Sequence, residues 1–135
     1  MTIVRHKHAA AAMRDGKVLV VGGSDGRGIR GRYASAEVFD PSTSTFSYVA
    51  DMHVRRFKLR GTAVVLGSGE VLVAGGADHI EVYDPETKTF RIAGDSLGTA
   101  LMFATATSLS NGDVFIAGGY DERIRPMANA WVYHP

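Results

Sequence analysis

The chain has 135 residues, of which 45% are hydrophobic and 21% charged, with no cysteine and a formal net charge of +1 at pH 7. That length can bury a substantial core, and the composition is that of an ordinary globular domain. Disulfides, thiolate metal sites and thiol catalysis are excluded, while near-neutral charge offers no bulk argument for nucleic acid and no apolar run approaches membrane-spanning length.

In chain order, Met1 to His8 lacks the charged-then-apolar order of a signal peptide, so a cytoplasmic location is expected. A first strand is expected over His8 to Met13. The alanines at 9 to 12 leave too few residues before the Asp15-Gly16 turn for a helix. A second strand follows, Val18-Leu19-Val20-Val21, and stops at Gly22-Gly23. This unit of polar-Gly turn, apolar run and Gly-Gly stop is written twice more. One copy is Ser68-Gly69 through Val71-Leu72-Val73-Ala74 to Gly75-Gly76; the other is Asn111-Gly112 through Val114-Phe115-Ile116-Ala117 to Gly118-Gly119. Each reads as a hairpin closed by a two-residue loop, in which Gly supplies the positive φ, with a second strand buried on both faces.

The long segment Ser24 to Ser35 reads as the most flexible loop, from its glycines, serines and three arginines. A third strand over Ala36 to Phe39, a turn begun by Asp40-Pro41 and a fourth strand over Thr45 to Val49 complete the first copy. The second copy repeats them as Ile80-Glu81-Val82-Tyr83-Asp84-Pro85 and a strand over Thr89 to Ile92. The third keeps Ala130-Trp131-Val132-Tyr133-His134-Pro135. The Gly-Gly pairs are 53 and then 43 residues apart and the prolines 44 and then 50. A period in this range built of four strands is that of a propeller blade.

The Gly-Gly pairs, the aromatics before Asp-Pro (Phe39 and Tyr83) and those opening the fourth strand (Phe46 and Phe90) together resemble the kelch repeat family. Arg5 and His8 fit the basic residue and His that the family places before the first strand, and Arg55 and Arg56 match loosely. The resemblance implies an all-β chain of kelch-type β-propeller blades, the last lacking its outer strand, with approximate bounds 1–52, 53–99 and 100–135. Gly22, Gly23, Gly75, Gly76, Gly118 and Gly119 would be structural, as would Phe39, Tyr83, Trp131 and Tyr133, the aromatics filling the space between blades. Three blades cannot close a ring of ordinary radius. A fragment of a longer propeller is therefore expected first, and a homodimer of two arcs second.

A meander puts the loops between second and third strands on the same side as the connections between blades. That side receives eleven of the fifteen basic residues, Lys7 and ten others: Arg5, Arg27, Arg30, Arg32, Arg55, Arg56, Lys58, Arg60, Arg123 and Arg125. Ordinary solvated loop charge is the plain reading. The sharper expectation is a ligand face for an acidic peptide or another anion, which arginine forks suit; that kelch-like propellers bind partners through this face is implied by the resemblance. The spacing of the five histidines points to no metal site, and the Gly-rich stretch after Gly22 lacks the Lys-Ser/Thr of a phosphate cradle.

A non-catalytic binding or scaffolding module without cofactors is thus expected, for a protein or other anionic ligand, with self-association as one way to close the ring. The competing class, also implied by resemblance, is part of a carbohydrate-active enzyme, galactose-oxidase-like or sialic-acid-mutarotase-like. Without cysteine, copper-radical chemistry has no crosslinked ligand, and no carboxylate can be matched to the Arg and His residues for proton transfer.

Overall fold

A computed structural model describes residues 1–135. Eleven strands form three antiparallel sheets. The first holds β1 (Ala9–Ala12), β2 (Val18–Val21), β3 (Ala36–Asp40) and β4 (Thr45–Tyr48) in that order. The second holds β5 (Ala63–Val65), β6 (Val71–Val73), β7 (Ile80–Asp84) and β8 (Thr89–Ala93). The third holds only β9 (Thr105–Ser108), β10 (Val114–Ala117) and β11 (Ala130–Tyr133). Each sheet is a meander, as the repeats imply. No helix is long and apolar enough to cross a membrane.

The hairpins differ in one respect from expectation: their loops are of three residues. Met13 N–H donates to the Lys17 carbonyl at 2.7 Å, and Gly16 N–H donates back to Met13 at 3.1 Å. The same pair of bonds recurs from Leu66 to Glu70 and from Leu109 to Asp113. Gly16, Gly69 and Gly112, at φ of 82°, 97° and 95°, are the left-handed residues that close these turns. The segment 24–35, read as a flexible loop, contains a 3-10 turn at Gly28–Gly31, and Ser24 bridges to both His6 and Arg32.

Alternation along the strands gives each sheet two apolar faces, and the sheets stack through them. Leu19, Val21 and Ala36 of the first sheet share a core with Val71, Val73, Tyr83 and Phe90 of the second. Leu72, Ile80 and Val82, on the second sheet's opposite face, share another with Val114 and Ile116, joined by half-buried Trp131 and Tyr133. Tyr83 and Phe90 lie between the first two sheets, packed at 5.0 Å between ring centres. Phe39 and Phe46 form the matching pair at 4.8 Å but are only half-buried, since no sheet covers them. For the same reason Phe115 on β10 is exposed, although a strand buried on both faces was expected there.

The Gly-Gly pairs stand where successive sheets meet backbone to backbone. Gly23 N–H donates to the Arg56 carbonyl at 3.0 Å and Gly76 N–H to the Leu101 carbonyl at 2.6 Å. A Cβ on Gly22 would lie 2.7 Å from the Arg56 oxygen, and one on Gly76 2.6 Å from the Phe57 oxygen. Gly76 also sits at φ 66°, so a side chain there meets both backbone strain and fixed backbone atoms. Gly76→Ala is therefore expected to cost about 3 kcal/mol. Gly94→Ala, at φ 72° but in open space, should cost only the strain, about 1 kcal/mol. Urea unfolding of the two variants checks the contrast.

Candidate functional site

Two of the arginines assigned to the ligand face are not on it. Arg5 lies inside the first sheet, where Nη1 donates to the carbonyls of Gly22 and Ser35 at 2.7 and 3.0 Å and Nη2 pairs with Glu37 at 3.0 Å. Arg56 repeats this in the second sheet. Nη1 donates to Val73, Gly75 and His79 at 3.2, 3.2 and 3.0 Å, and Nη2 pairs with Glu81 at 2.7 Å. All four side chains are fully buried. Each guanidinium holds the carbonyls around a Gly-Gly turn, which leaves neither free for a ligand. The reason is topological: the segment before each inner strand dips beneath the turn, so its Arg points inward.

The two carboxylates are equally well satisfied. Glu37 accepts from the Thr2 N–H and hydroxyl, and Glu81 from the His53 and Val54 N–H groups at 2.7 and 3.0 Å. Burial pushes the Glu81 pKa up, but the His53 N–H and the Arg56 charge outweigh it and hold the group below its ordinary value. Glu37 behaves alike: burial opposes, and the bonds from Thr2 and Arg5 prevail. These glutamates were missed because they occupy the alternating polar positions of β3 and β7, which look solvent-facing in sequence. One signal was present. Arg and Glu recur together in the first two copies, and both are replaced in the third, where buried Leu101 and half-buried Trp131 stand at the corresponding places.

The remaining eight candidates sort by partner. Arg27 pairs with Asp25, Arg32 with Glu122 at 3.4 Å, and Arg125 with Asp121 at 2.6 Å. Lys58 Nζ lies 4.7 Å from the ring centre of Tyr120 and 5.1 Å from that of Phe57, within cation–π range. Arg30, Arg55, Arg60 and Arg123 form no ion pair, and all four are exposed. Three of the eight are thus paired with acids of the same face and five are not.

Loops of all three sheets enclose one cleft of about 530 Å³ on this side. Its polar lining includes Arg32, Asp78, Asp121, Glu122, Arg123 and Arg125. The Arg32–Glu122 pair spans it from the first sheet to the third. Asp121 is nearly buried and accepts from the Arg123 and Arg125 N–H groups, each at 2.9 Å. Hydrogen bonds from Arg125 above all hold its pKa below the usual carboxylate range. Arg125 is thereby committed, while Arg123, whose side chain has no ion-pair partner, and Arg32, in a partly exposed pair, line the cleft.

Three of the five histidines lie beside carboxylates. His53 lies 3.0 Å from Glu81, His79 2.9 Å from Asp78 and His134 2.9 Å from Asp113. His8 has a buried Nδ1 with no partner, and burial, then the charge of Arg5, pushes its pKa down. No three His, Asp or Glu residues are grouped to hold a metal ion.

Residues 5–53 match the family model described as the Kelch motif. These residues form a kelch motif. The match runs from the first buried Arg to His53, just short of the second, and so spans one blade and the link to the next. The other two sheets repeat its hairpin, its Gly-Gly stop and its third strand. No curated protein matches the sequence.

The buried kelch ion pairs yield two predictions. Removing one partner strands the other charge, so Arg56→Leu should cost about 3–5 kcal/mol in urea unfolding. Adding Glu81→Leu to it should recover much of that loss, since the third blade manages with apolar residues at these places. The depressed glutamate pKa values also fix a pH dependence. The unfolded chain takes up protons first, so the contribution is full above the ordinary glutamate value and is lost as pH falls through the folded one. Urea midpoints should fall in that acid range, and the fall should be shallower in the double variant.

Proposed function

We propose that the chain is a non-catalytic binding module whose loop-face cleft takes an acidic segment of a partner protein. Residues 1–52, 53–99 and 100–135 act in this reading as three parts of one domain, since each contributes loops to the cleft. The observation that carries it is the approximately 530 Å³ cleft with the unpaired Arg123 on its wall. That size suits a few side chains of a peptide. An incoming carboxylate can also take Arg32 from Glu122, because an exposed ion pair of this kind is worth only about 0–1 kcal/mol. Arg123 and Arg32 are the binding residues in this reading; Arg30, Arg55 and Arg60 add steering charge from the rim.

Thermal melting with acidic peptides, galactose and sialic acid tests it. A glutamate-rich peptide at 100 times its Kd should stabilise the chain by about 2.7 kcal/mol and raise Tm by several degrees. Arg123→Glu should abolish the rise while leaving the Tm of the free protein unchanged. A rise with either sugar and none with the peptide would favour the carbohydrate-active class instead.

A further inference from the structure

The three blades stack in one sense. The face of each blade that carries Leu19, Leu72 or Phe115 is its forward face; the opposite face, carrying the third-strand aromatic, is its rear face. The forward face of the first blade covers the rear face of the second, and the forward face of the second covers the rear of the third. One rear face and one forward face are left bare.

The bare rear face belongs to the first blade and is built like the covered one. Val18, Glu37, Phe39 and Phe46 stand where the second blade has Val71, Glu81, Tyr83 and Phe90. Tyr83 is 1% exposed and Val71 fully buried beneath the first blade, whereas Phe39 and Val18 are half-buried and Tyr48, beside them, is 58% exposed. The approach to the inner strand repeats too. Thr2 bonds Glu37 as His53 bonds Glu81, which places Met1 where Met52 lies, yet Met52 is 3% exposed and Met1 52%.

The bare forward face belongs to the third blade. Phe115 and Val132 stand at the positions of Leu19 and Val38, and are 38% and 45% exposed. Its backbone is also unanswered. Gly22 and Gly75 press on the Arg56 and Leu101 carbonyls of the following blade, while a Cβ on Gly118 would meet nothing within 4 Å. Gly23 and Gly76 donate N–H bonds to those same carbonyls, and the Gly119 N–H donates to nothing. The group that matches Arg56 and Leu101 and receives no backbone N–H is the carbonyl of Arg5, on the bare rear face of the first blade.

We propose that two copies of this chain close on each other about a twofold axis, the third blade of each seated on the first blade of the other, with Gly119 N–H donating to the partner's Arg5 carbonyl. The occupant is specified by the molecule itself: the two bare faces are the halves of an interface that the chain already makes twice. Each face presents apolar groups, and the charges it buries, Arg5 and Glu37, are already paired. Six blades fall within the four to eight of closed propellers, and a head-to-tail contact used twice closes the assembly.

Sedimentation equilibrium of the intact chain across the micromolar range is the test. The expected result is a species of twice the 14.4 kDa chain mass. Tyr48→Glu and Phe115→Glu, each on one bare face, should each give a folded monomer with an unchanged far-ultraviolet circular dichroism spectrum. Should Phe115→Glu disturb folding, Ala130→Arg on the same exposed face replaces it. The proposal is overturned by a monomer throughout the range, by a dimer that substitutions on both faces leave intact, or by an open ladder of larger species.

Discussion

Arg56 belongs to two blades at once. Its carbonyl receives the Gly23 N–H of the first blade, and its side chain holds the Gly75 carbonyl and Glu81 of the second. Gly76 in turn donates to Leu101 at the start of the third. Short polar links of fixed geometry thus run through the arc and set the angle between neighbours, while the apolar faces supply the area. The division is physical: hydrophobic contact is non-directional and tolerates sliding, whereas a buried ion pair with every carbonyl around it engaged does not.

This use of arginine changes how the surface reads. A loop-rich face with many basic residues suggests an anion site, yet much of that charge is spent internally, in buried pairs at Arg5 and Arg56 and in surface pairs at Arg27, Arg32 and Arg125. What faces the cleft is a mixed field in which Arg123 stands unpaired. Such a field selects by arrangement of charge rather than by its sum.

The parts of the fold legible in sequence were those encoded locally. A polar-Gly turn, an apolar run and Gly-Gly fall within about a dozen residues, and three copies reinforce one another, so strand order and stacking followed. The ion pairs join residues 32 and 25 positions apart. Glu37 and Glu81 sit at strand positions that alternate with apolar ones, where period-two reasoning assigns a polar residue to solvent. In the second sheet, stacked on both sides, no such face exists, and the alternation marks instead which neighbour a side chain meets; Glu37, on the uncovered face of the first sheet, is buried by Arg5 and Thr2. For the same reason the sequence overestimated the free rim: whether a loop arginine finds an acid depends on how loops from different blades lie together, as Arg32 and Glu122 do at a separation of 90 residues.

The third blade does without this electrostatic hinge. Where the first two have an arginine and a glutamate, it has Leu101 and Trp131. A hydrophobic substitute carries no proton and responds little to acid. The arc is therefore chemically graded along its length: acid below the ordinary glutamate range removes a fully buried ion pair from two of its blades, and the third has no such pair to lose.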